Sequence, residues 1–311
     1  MLENNVNVSE NVNEQSKYVI EAENLVKIYK TKDIEVMALQ GLDLLIERGE
    51  VMAIIGNSGS GKSTLLNMIG GLDKPSAGKL TVDGRDLFKM KEKDLVDYKA
   101  TTVGFVWQNN ARNLIPYLTA LENVMMPMQF NTSKPIKNKR KRAVELLDLV
   151  GISSRARHRL SQLSGGEQQR VAIALSLANY PSVLLADEPT GSVDTRTSDM
   201  ILDMFRTANK ELGTTIVIVT HDREISKKVE RVVAIRDGKT SSEFIMSYSD
   251  KLAGIEGFEG VPQGEAIEYA VLDRAGRVQI PRDILDKMGL DGNRLQIKMD
   301  ENNNVVLSAP K

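Results

Sequence analysis

The strongest constraint on this chain is a glycine-rich stretch between a short apolar run and a helical pattern. Val51–Ile55 is apolar throughout and predicts a buried strand, and Leu65–Ile69 predicts the first turns of a helix. The stretch between them fills every fixed position of the pattern G-x-x-x-x-G-K-S and reads Gly56-Asn57-Ser58-Gly59-Ser60-Gly61-Lys62-Ser63-Thr64. An accidental glycine-rich match would not be expected to have both of these flanks. The stretch therefore predicts a phosphate-binding loop.

The chemistry of such a loop comes from its backbone and from two side chains. The glycines let backbone N–H groups turn towards an anion, and the following helix adds the positive end of its dipole. Lys62 supplies a full positive charge to the outer phosphates, and the Ser63 hydroxyl is a natural ligand of Mg²⁺. The sequence therefore predicts that a nucleoside triphosphate and magnesium bind at Gly56–Thr64.

Length and composition set modest bounds on the rest of the chain. The 311 residues suffice for one full domain and a smaller one, and a formal net charge of −1 gives no global field for nucleic acid. Cysteine is absent, which fits a reducing compartment, and no apolar run approaches the roughly 20 residues that span a bilayer. Residues 1–17 are polar and rich in Asn and Glu, so we expect a disordered tail and no signal peptide.

Alternation of apolar and polar residues predicts strands at Tyr18–Glu23 and Leu42–Glu47. Together with Val51–Ile55 they predict an antiparallel sheet that precedes the phosphate loop. Tyr29 falls between the first two strands, and two interpretations stay open from its position alone. The ring either stacks on a nucleotide base or packs against its own sheet.

The next stretch predicts one strand and a mainly helical region. Thr102–Trp107 predicts a buried strand, and Gln108 at its tip could reach magnesium or an attacking water. Residues 113–152 are predicted to be mostly helical, with a break at Pro127.

A second motif, Leu163–Arg170, places Ser164, Gly165 and Gly166 at the start of a helix, with Glu167 following. Such a helix start predicts another anion-binding terminus. A chain with one phosphate loop has no need of a second in the same site. The duplication is explained if this terminus serves the nucleotide of a neighbouring copy.

A third motif, Val183–Thr190, is four apolar residues followed by two adjacent carboxylates. Asp187 at the strand tip is suited to hold the magnesium shell, and Glu188 is suited to act as the general base for an attacking water. Two such neighbours repel each other unless a cation is present, so the pair implies a metal. His221 follows a further apolar strand, Thr215–Thr220.

These motifs in this order resemble the ABC ATPases over residues 18–245. The resemblance implies an α/β P-loop NTPase fold with a RecA-like core, an antiparallel β subdomain and a helical subdomain, and it implies ATP and Mg²⁺ as cofactors. It assigns magnesium to Ser63, Gln108 and Asp187, and catalysis to Glu188, His221, Gln108 and Lys62. The adenine platform is Tyr29, the signature is Leu163–Gln168, of which Ser164–Glu167 are assigned to the nucleotide, and the D-loop residue is Asp194.

Softer residues resemble the group for lipoprotein release, macrolide export and FtsE-type cell division, namely Gly70–Asp73, Leu118–Val124 and Gly191. That resemblance implies an ATP-hydrolysing homodimer beneath a separate permease of FtsX/MacB type. It would lie in the cytoplasm, on the inner face of the cell membrane. The alternatives are a soluble ABC ATPase, or a DNA-binding regulator that uses the C-terminal region.

The C-terminal region predicts a second, smaller unit. Residues 246–263 are polar with several glycines and predict a linker. The pattern of residues 264–311 predicts a short helix at Arg282–Met288 and strands at Tyr269–Asp273, Arg277–Pro281, Arg294–Met299 and Val305–Leu307. These residues resemble the AbrB/MazE swapped-hairpin domains, which implies dimerisation by interleaved strands. A unit this small would hardly hold a core alone, so pairing is also expected physically. Its seven Lys or Arg against eight Asp or Glu disfavour DNA binding, which needs clustered positive charge.

Overall fold

The computed structural model describes residues 16–30, 34–108, 113–191, 194–222, 228–246, 266–272, 276–280, 282–289, 295–300 and 304–308. The predicted disordered tail, apart from its last two residues, and almost all of the predicted linker lie outside these ranges. Two residues of the D-loop, 192 and 193, also lie outside them. Among the described residues no helix is long and apolar enough to cross a membrane.

A seven-stranded sheet forms the centre of the α/β fold, with the order β11-β10-β9-β3-β8-β7-β6. Its strands are β3 (Val51–Ile55), β6 (Val103–Val106), β7 (Val183–Asp187), β8 (Thr215–Thr220), β9 (Arg231–Arg236), β10 (Lys239–Met246) and β11 (Ala266–Ala270). The five strands from β9 to β6 are parallel, and β10 and β11 are antiparallel additions at one edge. The carboxyl ends of the parallel strands therefore share one edge of the sheet, where ligands bind in open α/β folds.

A second, antiparallel sheet has the order β2-β1-β4-β5. It consists of β1 (Tyr18–Lys30), β2 (Glu35–Glu47), β4 (Ala77–Val82) and β5 (Arg85–Asp86). The prediction that Val51–Ile55 joins this sheet was wrong, because β3 pairs in parallel with β8 and β9. Burial explains the difference: the middle of β3 is apolar on both faces and lies between the two cores, whereas β1 and β2 alternate.

Seven α-helices are described: α1 (Lys62–Ile69), α2 (Glu92–Thr101), α3 (Ala120–Phe130), α4 (Lys139–Leu149), α5 (Gly165–Ser176), α6 (Thr195–Leu212) and α7 (Arg282–Lys287). Helix α1 packs between the two sheets, in one core with apolar residues of both. Helices α3, α4 and α5 pack with α6 on the other face of the central sheet, in a second core. Helix α1, which follows the phosphate loop, and α5, which begins within the signature, are thus packed on opposite faces of the same central sheet.

The predicted break at Pro127 does not occur. Helix α3 continues through Pro127 to Phe130. An internal proline costs a helix about 3 kcal/mol. Burial of Leu121, Val124 and Met128 against the second core outweighs that cost.

The C-terminal region contains most of the predicted elements, but its first strand is not separate from the larger domain. Strand β11 pairs antiparallel with β10 over its whole length, so it extends the central sheet by one strand. Helix α7 occupies the predicted helical segment, and β12 (Gln296–Met299) pairs with β13 (Val305–Ser308) as a two-stranded hairpin.

Candidate nucleotide-binding site

The phosphate-loop residues connect the end of β3 to the start of α1. Gly59 and Gly61 have φ values of +80° and +104°, in the left-handed region that residues with a Cβ rarely adopt. A Cβ on Gly61 would lie 2.6 Å from the Ala38 carbonyl oxygen, whereas one on Gly59 would meet nothing within 4 Å. The loop thus follows a path that requires glycine, packed on β2 at one point and open at another.

The side chains of Lys62 and Ser60 are both buried in this loop. The Lys62 ammonium donates to the carbonyl oxygens of Gly56 at 2.8 Å and Asn57 at 3.0 Å. Within the described ranges no carboxylate lies at ion-pair distance from Lys62, and the buried Ser60 hydroxyl has no hydrogen-bond partner. A buried ammonium without a carboxylate partner and a buried hydroxyl without a hydrogen-bond partner both suit a phosphate group, which would accept a hydrogen bond from each of them.

The turn between β9 and β10 supports the phosphate loop through backbone hydrogen bonds. Gly238 N–H donates to the Ser60 carbonyl at 3.1 Å, and the Gly238 carbonyl accepts from Gln40 N–H at 2.9 Å. Gly238 therefore joins the phosphate loop to β2. Sequence analysis missed this residue, although Asp237-Gly238 directly after an apolar run is a recognised hairpin signal.

The two carboxylates that follow β7 lie at the same edge of the sheet. Asp187 is the last residue of β7, and Glu188 has φ +46°, which is uncommon for a residue with a side chain. Thr220 Oγ1 donates to Glu188 Oε2 at 3.1 Å, and His221 N–H donates to Oε1 at 3.0 Å. His221 Nδ1 also lies 2.7 Å from Oε1. The structure thus brings Glu188 and His221 together and fixes both carboxylate oxygens.

Thr220 was not singled out by sequence analysis, although it directly precedes His221. It is fully buried, and its hydroxyl accepts from Asp222 N–H at 3.0 Å while it donates to Glu188. One threonine therefore ties the end of β8 to the carboxylate after β7. That contact leaves Glu188 little rotational freedom.

The proposed magnesium ligands come from three adjacent elements. Ser63 lies exposed in the first turn of α1, Asp187 ends β7, and Gln108 is exposed two residues after β6, the strand beside β7. In the described part of the chain no group of three His, Cys, Asp or Glu could hold a metal by itself. Such a sparse donor set fits Mg²⁺, which commonly takes one or two protein ligands together with phosphate oxygens.

The signature residues form a capped helix start. Ser164 Oγ accepts from Glu167 N–H at 3.2 Å, and Glu167 Oε2 accepts from Ser164 N–H at 2.8 Å. The backbone hydrogen bond from Ser164 is the main reason why the pKa of Glu167 is lowered. Gln169 Nε2 donates to the Pro189 carbonyl at 3.1 Å and so links α5 to the segment just after Glu188.

Tyr29 and Asp194 lie at element ends. Tyr29 is near the end of β1 instead of between strands, and its side chain is 40% exposed. Asp194 caps α6, where it accepts from Thr197 N–H at 3.0 Å. That backbone hydrogen bond is the main cause of the lowered pKa of Asp194.

Comparison with known proteins places the chain in a family. Residues 39–191 match the family model described as ABC transporter. An uncharacterized ABC transporter ATP-binding protein of Thermotoga maritima is 47% identical over 223 residues, which are 72% of this chain and 94% of that protein. YvrO of Bacillus subtilis, described in the same words, is 46% identical over 216 residues, 70% of this chain and 93% of YvrO.

Solved structures agree with this assignment. A dimeric structure of the ATP-binding cassette MJ0796 in a post-hydrolysis state, bound to ADP and Pi, has a TM-score of 0.65 at 41% identity and covers 72% of this chain and 97% of its own. The cassette cbiO1 of Clostridium perfringens, from a cbiONQ complex, has a TM-score of 0.66 at 32% identity over 73% of this chain and 88% of its own. The protein is an ATPase that binds ATP together with Mg²⁺. It belongs to the ATP-binding proteins of the ABC transporters.

Proposed function

We propose that two copies of this chain close head to tail around two ATP molecules and thereby drive a separate membrane permease. The observation that carries the proposal is the open start of α5. Ser164 is exposed, and a Cβ on Gly165 would meet nothing within 4 Å, so the helix terminus has room for an anion. Gly59 of the phosphate loop is open in the same way. A phosphate between one copy's loop and its partner's helix terminus would fill both spaces.

A solved relative supports the formation of a dimer. MJ0796 is described as a dimeric cassette, both in its ADP and Pi state and in a second structure at 42% identity and a TM-score of 0.66. In the proposed dimer Ser164–Gly166 bind the partner's nucleotide, and Asp194 lies in the loop that faces the partner. The cargo and its direction are properties of the permease.

The roles of the catalytic residues follow from where their side chains are held. Lys62 would neutralise the outer phosphates, with Ser63, Asp187 and Gln108 around the magnesium. Glu188, fixed through Thr220, would accept a proton from the attacking water. His221, whose Nδ1 and N–H lie against Glu188, would contact the γ-phosphate. Tyr29 would stack on the adenine.

The partner permease is proposed to be of FtsX/MacB type, with this subunit at the cytoplasmic face of the membrane. The support is the resemblance of two segments to the group for lipoprotein release, macrolide export and FtsE-type cell division. These segments are Gly70–Asp73 after α1 and Leu118–Val124 at the start of α3. Purification of the tagged full-length protein from membranes in mild detergent should recover an integral-membrane protein of that kind. Recovery of duplex DNA or ribosomes instead would favour the soluble alternatives.

The C-terminal hairpin is proposed to add a second dimer contact. Ile297 and Met299 on β12 share one face with Val305 on β13, and the three side chains are 70%, 68% and 65% exposed. A two-stranded sheet with an exposed apolar face is marginal alone and gains stability when that face is covered. The proposed cover is the same face of a second copy.

Nucleotide retention tests the composite site. The Glu188→Gln variant, which should bind ATP without hydrolysing it, is expected to retain ATP through gel filtration because the nucleotide is enclosed between two copies. Adding Ser164→Arg should release the nucleotide while the initial ATP affinity changes less than about twofold. A matched control, Thr207→Arg on the exposed part of α6, should leave retention intact. Equal retention by Glu188→Gln with and without Ser164→Arg would contradict the head-to-tail arrangement.

A further inference from the structure

The Tyr29 side chain is anchored by Asp73 and Lys27, which the proposed mechanism does not use, and it also interacts with the Thr64 side chain of the phosphate loop. The Tyr29 hydroxyl donates to Asp73 Oδ2 at 2.8 Å. The other carboxylate oxygen of Asp73 accepts from Lys27 Nζ at 2.6 Å, and the same ammonium donates to the Lys74 carbonyl at 2.8 Å. Three side chains from β1 and from the segment after α1 are thus joined in one hydrogen-bond network.

Lys27 also covers one face of the aromatic ring. Its ammonium lies 4.7 Å from the ring centroid of Tyr29, and the Lys27 residue is only 9% exposed. A cation at this distance from a ring is attracted by its π-electrons. Tyr29 itself is 40% exposed, so part of the residue stays accessible to a ligand although Lys27 lies over the ring.

The protonation of the network is consistent with this geometry. Burial and the Asp73 carboxylate raise the pKa of Tyr29, so the phenol keeps the proton that it donates. Burial alone would raise the pKa of Asp73, but hydrogen bonds from Lys27 and Tyr29 outweigh burial and lower it. The phenol of Tyr29 therefore donates to an ionised Asp73 carboxylate.

Asp73 connects the ring to the phosphate-loop helix. Asp73 N–H donates to the Asn67 carbonyl of α1 at 3.3 Å, and Leu72 N–H donates to the same oxygen at 2.8 Å. The segment that carries Asp73 is therefore held on the helix that begins with Lys62. The spacing between the ring and the phosphate loop is set through this helix.

We propose that Asp73 and Lys27 are positioning residues that hold the Tyr29 ring with its accessible part towards the base of the nucleotide. The proposal rests on the role proposed above for Tyr29. A ring that is already fixed loses less side-chain entropy when a base stacks on it. The network thus strengthens recognition of the base and leaves recognition of the phosphates unchanged.

The test compares two ligands that differ in the base. The full-length protein binds either ATP or inorganic tripolyphosphate, each with Mg²⁺, and the ratio of the two dissociation constants is measured by calorimetry. Asp73→Ala and Tyr29→Phe should each weaken ATP about three- to tenfold and change tripolyphosphate binding less than about twofold. Tyr29→Ala, which removes the ring itself, should weaken ATP at least as much, by about 10-fold or more. Lys79→Met, which breaks an exposed ion pair with Glu23 in the same sheet, is the matched control.

The outcomes separate this inference from the role of Tyr29. If Tyr29→Ala changes the ratio and neither Asp73→Ala nor Tyr29→Phe does, the positioning network is refuted and the base platform stands. If Tyr29→Ala leaves the ratio unchanged, the base platform itself is refuted. Equal weakening of both ligands by Asp73→Ala would show that Asp73 acts through the phosphate loop, which also refutes the proposal. Tyr29→Phe keeps the test decisive should Asp73→Ala fail to fold.

Discussion

Replacing Gly238 by alanine should damage the nucleotide site from outside it. Gly238 has φ +71°, and a Cβ there would lie 2.7 Å from the Ala38 carbonyl oxygen, 2.9 Å from Leu39 Cα and 3.1 Å from Gln40 N. All three are backbone atoms, which cannot move aside as a flexible side chain could. The β9–β10 turn must therefore shift away from β2, and with it the hydrogen bond from Gly238 to Ser60.

The size of the effect follows from two separable costs. A residue with a Cβ in the left-handed region costs roughly 1–2 kcal/mol, and overpacking against a rigid neighbour costs roughly 1–3 kcal/mol more. We therefore expect Gly238→Ala to lower the free energy of unfolding by about 2–5 kcal/mol. Loss of the loop's backbone hydrogen bond should also weaken ATP binding about two- to tenfold in the protein that remains folded.

Gly49 provides a matched control at the opposite end of β3. It has φ +73°, but a Cβ there would meet nothing within 4 Å, so Gly49→Ala carries only the conformational cost. Urea unfolding followed by circular dichroism measures stability, and calorimetry measures ATP affinity. Gly238→Ala should be the less stable of the two and the only one with weakened ATP binding. Equal stability losses with unchanged ATP affinity in both would refute the idea that this turn braces the phosphate loop.

Three further predictions test other parts of the chain. Glu188→Gln should bind ATP but release phosphate about 100-fold more slowly or worse, because Glu188 is, among the described residues, the carboxylate best placed to accept the proton of the water. Near-normal phosphate release would reject the assignment. Arg231→Met should lower the free energy of unfolding in urea by about 3–5 kcal/mol, because Glu50, whose side chain is 1% exposed, loses the cation that lies 3.3 Å away. Adding Glu50→Gln should recover much of that loss, and no recovery would contradict the pairing. Without nucleotide, Ile297→Lys should be a monomer when its mass is measured by light scattering, whereas Gln296→Lys, on the other face of β12, should remain a dimer. If both variants are dimers, this hairpin is not the contact.

Much of the site could be predicted because its chemistry is local in sequence. The phosphate loop, Ser164 and Glu188 each directly adjoin a strand or a helix with a clear pattern, so a few consecutive residues determine both the structure and the candidate role. Each of these candidate residues directly adjoins its strand or helix in the sequence, so its position at the end of that element could be predicted from the order of residues alone. The structure then showed what adjacency could not: Glu188 is held from β8, through Thr220.

The contacts that sequence could not supply are those between distant segments. Tyr29 and Asp73 are 44 positions apart, and Gly238 reaches Ser60 across most of the domain. A single sequence contains the residues of such pairs without the information that pairs them. The same reason explains the wrong sheet for β3, since alternation and apolarity describe a strand but do not name its neighbours.

Strand β11 shows how this limitation changes the description of the C-terminal region. The sequence predicts a strand at Tyr269–Asp273, whereas β11 spans Ala266–Ala270, and the pattern alone does not say whether such a strand belongs to a separate hairpin unit or to the edge of a larger sheet. The hydrogen bonds with β10 use the edge that the central sheet would otherwise expose, and edge strands are stabilised when a further strand covers them. Because β10 is joined to β9 by the turn that contains Gly238, the strand that leads into the C-terminal region is only one strand away from the turn that braces the phosphate loop. The chain that leads to the proposed pairing hairpin therefore starts from an edge strand of the ATPase sheet.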